Sequence, residues 1–154
     1  MRDFNQADKN KKQKRIQIPE NPGNLSREML TRLEATVKAS LQSGYLPCAA
    51  AFSIAKNLNV PKIAVGAMTD TLGVRVSNCQ TGCFKVDKAV HDNLAGKQTD
   101  EKIVAALESL REKDELTCDN VFALARQTKT TPLSVANVAN IRGWKIHHCQ
   151  LGCF

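Results

Sequence analysis

The chain has 154 residues, 42% of them hydrophobic, which supports one or two small packed domains and excludes an intrinsically disordered protein. Aromatic residues make up only 5%, so the cores are expected to be aliphatic and mostly helical. The formal net charge of +7 favours an anionic partner, nucleic acid or a membrane surface. No apolar run approaches the length of a bilayer span and no secretory signal is visible, so a cytoplasmic protein with no membrane contact is expected.

The first eighteen residues hold six basic side chains (Arg2, Lys9, Lys11, Lys12, Lys14, Arg15) against two acidic ones (Asp3, Asp8). Residues 1–22 therefore read as a basic, disordered arm. A first helix is predicted from Ser26 to Leu41, with Ser26 as N-cap and Leu30, Leu33 and Val37 on one face. A second starts near Cys48, where Cys48, Phe52 and Ala55 follow helical spacing. A third starts at Pro61, proline being tolerated in the first helical turn, and is capped by Gly73. Val74-Arg75-Val76 then alternates as a short strand, and Val86, Val90 and Leu94 suggest a short helix closed by Gly96.

An offset of 70 residues aligns residues 33–84 with residues 103–154 without a gap. LPCAAAFSIAKNLNV pairs with LTCDNVFALARQTKT, and VRVSNCQTGCF pairs with WKIHHCQLGCF. All three cysteines of each copy match: Cys48/Cys118, Cys79/Cys149 and Cys83/Cys153. The second copy repeats the same elements: a helix after Thr99 or Asp100 carrying Ile103, Leu107 and Leu110, then helices from Cys118 and from Pro132, Gly143 as cap, and a strand at Trp144-Lys145-Ile146. The expected organisation is an arm (1–22), a first repeat (23–84), a linker with a short helix (85–98) and a second repeat (99–154), an intramolecular pseudo-dimer that leaves homodimerisation open.

Ile54–Met68 resembles the helix-turn-helix of the winged-helix and bacterial regulator superfamily. The residues that carry the likeness are Ala55, Asn59 and Val65, with Ile54, Leu58, Val60 and Met68 at accessory core positions. A small residue allows close helix crossing, and asparagine tolerates a left-handed turn. The second copy matches at Ala125 and Val135, with Lys129 in place of Asn59. The resemblance implies a mainly α fold with short β-strands, arranged as tandem winged-helix-like three-helix domains. It also implies that the third helix enters the major groove of duplex DNA. The DNA-binding candidates are Lys56, Lys62, Arg75, Arg126, Lys129, Asn137, Arg142 and Lys145. Both third helices are small and nearly neutral, so a scaffold that docks a protein partner is the rival reading. The CQxGCF tail resembles that of uncharacterised proteins of anaerobic microbes, which implies no function.

Cys48 and Cys118 share a helix face with Phe52 and Phe122, so core burial is expected. Strand alternation instead sends Cys79 and Cys149 outward, each followed four residues later by Cys83 or Cys153. A tight turn through the intervening glycine brings each pair within reach of a metal or a disulfide. Two tails meeting would supply four thiolates, a zinc or iron–sulfur set; alternatively Cys48 or Cys118 joins the tail pair of its own copy to hold a cluster with three cysteines, and His147 and His148 are additional ligand candidates in the second copy. Metal binding, redox chemistry and simple packing stay open at this point. No Ser-His-Asp set, carboxylate pair or phosphate loop accompanies the thiols, so a non-enzymatic DNA-binding or regulatory protein is expected.

Overall fold

The computed structural model describes residues 4–83 and 100–154. These residues form seven helices and one two-stranded sheet: α1 (Gln6–Gln13), α2 (Arg27–Ala39), β1 (Leu46–Pro47), α3 (Cys48–Leu58), α4 (Lys62–Leu72), β2 (Val76–Ser77), α5 (Glu101–Glu112), α6 (Cys118–Gln127) and α7 (Pro132–Ile141). They divide into two compact units. One comprises residues 4–79 with 150–154, and the other comprises residues 80–83 with 100–149. The expected boundary after residue 84 is thus shifted: each repeat's tail is counted with the unit built on the other repeat. The linker helix expected over 85–98, with Val86, Val90 and Leu94, lies outside the described residues.

In the first unit the basic segment is not the disordered arm expected. Asn5 and Asp8 form a reciprocal capping box, the Asn5 side chain accepting from the Asp8 N–H at 3.0 Å and the Asp8 carboxylate from the Asn5 N–H at 3.2 Å. The helix that follows is tied down by ion pairs, Arg75 to Asp8 at 2.9 Å and Lys12 to Asp70 at 2.6 Å. Lysine-rich composition hides this docking, because the contacts are ionic rather than an apolar stripe.

Helix α2 starts at Ser26, whose hydroxyl accepts from the Met29 N–H at 3.1 Å, and it buries Leu33 and Val37. Helices α2, α3 and α4 pack pairwise around Leu33, Val37, Ala51, Ile54, Ala55, Ala64 and Val65. Between α3 and α4 the chain reverses at Asn59, which is left-handed (φ 52°, ψ 48°), and the Val60 N–H donates to the Ala55 carbonyl at 2.9 Å. That geometry ends α3 abruptly and lets α4 start within three residues. Gly73 (φ 69°) then ends α4, with the Val74 N–H donating to Thr69 at 2.9 Å.

The expected strand at 74–76 is displaced to Val76–Ser77. It pairs in parallel with β1, Leu46 opposite Val76 and Pro47 opposite Ser77. The segment entering α3 therefore lies beside the one leaving α4. No antiparallel hairpin of the kind that makes a wing follows α4 or α7 among the described residues.

The second unit repeats these devices. Asp100 caps α5, Thr117 caps α6 and Thr131 caps α7, each accepting from a backbone N–H in the first turn. Leu107, Val121, Ala125, Val135 and Ala139 form its core, with Leu110, Phe122 and Trp144 packed against it. The parallel pairing shrinks to one bridge, Thr117 to His147, with the His147 N–H donating to Leu116 and the Cys118 N–H to His147, both at 3.0 Å. Five left-handed backbone positions recur at the 70-residue offset: Gly44/Asp114, Asn59/Lys129, Gly73/Gly143, Asn78/His148 and Gly82/Gly152. The duplication is thus one of backbone conformation as well as of residue type. No described helix is long and apolar enough to cross a membrane.

Candidate functional site

The first unit's most constrained feature lies on α4. Gly66 sits in the helix interior, where glycine is about 1 kcal/mol worse than alanine. A Cβ atom placed on it would lie 1.8 Å from the carbonyl oxygen of Leu151. The tail backbone therefore runs directly over α4, at a distance that only a glycine allows. Leu151 is fully buried. Gln150 accepts a hydrogen bond from the Lys62 ammonium at 2.7 Å, and the same ammonium lies 4.9 Å from the centre of the Phe52 ring. One residue beyond Leu151, Gly152 (φ 70°) is hemmed in by Ile18 and Ile63, whose Cδ1 atoms would be 2.6 and 2.7 Å from an added Cβ. Two glycines, one on the helix and one on the tail, thus permit a close backbone-on-helix seat.

A second covering of α4 comes from the N-terminal segment. Between α1, the stretch that follows it and α4 lies a cleft of about 520 Å³, lined by Lys9, Lys12, Ile16, Ile18, Ala67 and Asp70 among others. Burial raises the Asp70 carboxyl above the ordinary aspartate range, and this outweighs the lowering effect of the Lys12 hydrogen bond and charge.

The DNA-binding candidates are scattered across this framework. Lys56 is exposed on α3, whereas Lys62 is held by Gln150. Arg75 is paired with Asp8 and lies 5.5 Å from the centre of the Phe4 ring. In the second unit Arg126, Lys129, Arg142 and Lys145 are exposed, and Arg142 stacks over Trp144 at 5.4 Å, with Arg111 also 5.1 Å from that ring. Asn137 is half-buried, and its Oδ1 atom is inaccessible and has no hydrogen-bond partner. Within α4, Ala64, Val65, Gly66 and Thr69 are buried, whereas Lys62, Ala67 and Asp70 are half-buried.

The cysteines also depart from expectation. Cys48 and Cys118 are buried as predicted, each at the first residue of a helix. Cys79 is buried rather than outward, and Cys149 is half-buried. The cause is the residue before each: Asn78 (φ 48°) and His148 (φ 51°) are left-handed, which breaks strand alternation and turns the thiol back. Cys83 is exposed and Cys153 half-buried. The unit boundaries fall inside both C-x3-C pairs, grouping Cys48, Cys79 and Cys153 in one unit and Cys83, Cys118 and Cys149 in the other. Among the described residues no set of three or more His, Cys, Asp or Glu side chains is arranged to hold a metal ion. His147 and His148 meet edge to face with their Nδ1 atoms 2.5 Å apart, and His147 Nε2 lies 3.4 Å from Asp114.

Gly66 and Leu151 were missed as site residues. The available signal was a glycine inside a predicted helix, opposite Ala136 in the other copy. No family model, curated protein or solved structure matches the chain.

Proposed function

We propose that this chain is a non-enzymatic regulatory scaffold built from two helix-turn-helix units, in which the third helix is a docking surface rather than a base reader. The observation that carries this reading is the approach of the Leu151 backbone to Gly66 on α4. The major groove is about 12 Å wide and admits a bare helix. A helix with a further layer of backbone across its outer face does not fit. Base reading also needs arginine, lysine, asparagine or glutamine at the helix surface. Apart from Lys62, the accessible residues of α4 are Ile63, Ala67, Met68, Asp70, Thr71 and Leu72, and Lys62 is engaged by Gln150. The parallel β1–β2 pair supplies no winged-helix hairpin to support groove binding.

Duplex DNA binding is the second reading, favoured by the charge of the first unit. Residues 4–79 hold eleven basic against five acidic side chains, and Lys11, Lys14 and Arg15 are exposed beside α1. Those cations suit phosphates, not base edges. Titrating fluorescent duplexes of several sequences from low to physiological salt separates the two readings. The scaffold reading expects no binding, or weak binding that is indifferent to sequence and lost as salt rises. Sequence-selective affinity that survives at physiological salt would overturn it.

A further inference from the structure

We propose that the α4 face around Gly66 is a receptor for the Gln-Leu-Gly-Cys-Phe tail that accepts the same segment from a second copy of this chain. The inference rests on reading α4 as a docking surface and names its partner. Three observations carry it. The seat is shaped for backbone: at Gly66 any side chain would strike the Leu151 carbonyl, so recognition is by close main-chain approach. It is also specific at each flank, with Lys62 donating to Gln150 and the Ile18 and Ile63 side chains closing on Gly152. Finally, the seated segment is remote in sequence, the Lys62–Gln150 contact spanning 88 residues, so no local chain geometry forces the tail into its seat. The other repeat's tail has the same left-handed positions, Asn78 and Gly82 matching His148 and Gly152, and is likewise counted with the unit built on the opposite repeat. The tail at residues 150–154 completes a unit from which the whole of residues 80–149 separates it along the chain. A segment that reaches its seat by a long excursion makes the same contacts whether it comes from its own chain or from a neighbour, which is the condition for domain swapping. In the isolated chain the high effective concentration of its own tail keeps the seat filled.

Two full-length variants, each crippled in one half of the contact, test this. Leu151→Asp leaves the seat intact and spoils the tail, because it would place a charge at a fully buried position. Gly66→Val leaves the tail intact and blocks the seat, and valine does not weaken the helix relative to glycine. Each variant alone is expected to run as a monomer by light scattering under reducing conditions. The equimolar mixture is expected to contain a species of twice that mass, with the Leu151→Asp chain holding the tail of the Gly66→Val chain. A mixture that keeps the monomer mass, with both chains helical by circular dichroism, would overturn the proposal. Should Leu151→Asp lose helicity by itself, a synthetic peptide of residues 147–154 is expected to restore it, and failure to do so counts against the receptor. The mass and peptide measurements involve no DNA, so their outcome is separable from that of the duplex titration.

Discussion

The carbonyl oxygen of Leu151 occupies the space that a side chain on Gly66 would need, 1.8 Å from the position of an added Cβ. Two opposing effects decide what alanine does there. Helix propensity favours Gly66→Ala by about 1 kcal/mol. Unseating a fully buried leucine exposes apolar surface worth about 1.5–3 kcal/mol. The loss wins, so Gly66→Ala is expected to be net destabilising by about 1 kcal/mol in urea unfolding, the difference between those terms. It should also speed proteolytic trimming of residues 150–154. A stabilised variant with an equally protected tail would show that the seat relaxes around a methyl group.

The duplication was legible because it is written in side chains whose burial is local: the leucines, alanines and valines of each three-helix core and the glycines at the helix ends. Asn59 was legible too, since a turn between two closely crossing helices calls for a left-handed residue. Three features were not. Helix α1 docks through Asp8–Arg75 and Lys12–Asp70, pairs between residues about sixty apart that leave no periodic trace. Cys79 is turned inward by a backbone reversal at Asn78, and alternation cannot be read across such a residue. The seating of residues 150–154 on α4 is a tertiary contact made by one of two nearly identical tails, and nothing in the tail sequence itself marks that partner.

Lys129 occupies the left-handed position that Asn59 holds in the first copy, both with φ of 52°. Asparagine adopts this conformation far more readily than lysine, because its short amide side chain can hydrogen-bond locally and offset the Cβ–carbonyl crowding that both residues share. The flanking hydrogen bond is the same in both copies, Val60 to Ala55 and Thr130 to Ala125 at 2.9 Å. Lys129→Gly or Lys129→Asn is therefore expected to stabilise the protein by about 0.5–1 kcal/mol, and Asn59→Lys to cost a similar amount. Denaturant midpoints at unchanged slope check both. No difference between the residues would mean that the Lys129 ammonium gains something that offsets its backbone strain.

Asp70 is raised by burial despite its contact with Lys12, and the sign of the consequence follows. A carboxyl whose folded pKa lies above its unfolded value binds its proton more tightly in the folded state. Its contribution is then most favourable below the ordinary aspartate range, near pH 4, and is lost as pH rises through the folded value. Asp70→Asn removes that dependence. The variant should therefore gain stability relative to the parent as pH increases from about 4, levelling off once Asp70 is ionised in the folded protein. Paired urea titrations at several pH values read the difference. A relative stability that falls with pH would mean that the Lys12 pair, at 2.6 Å, outweighs desolvation.

Thiol accessibility should sort the six cysteines in an order that strand alternation does not give. Cys83 is exposed, Cys149 and Cys153 are half-buried, and Cys48, Cys79 and Cys118 are buried. Reaction with a small thiol reagent under native, reducing-agent-free conditions is expected to label Cys83 first and Cys149 and Cys153 more slowly. Cys48, Cys79 and Cys118 should be labelled only on a timescale set by opening or unfolding. Peptide mapping after quenched labelling assigns each site. The informative comparison is Cys79 against Cys83, four residues apart: alternation along a continuous strand leaves Cys79 open to the reagent, whereas the left-handed Asn78 turns it inward. Fast labelling of Cys79 would mean that the turn at Asn78 opens in solution. In that case Asn78→Gly, which relieves the positive φ, is expected to slow labelling at Cys79 by holding the turn closed.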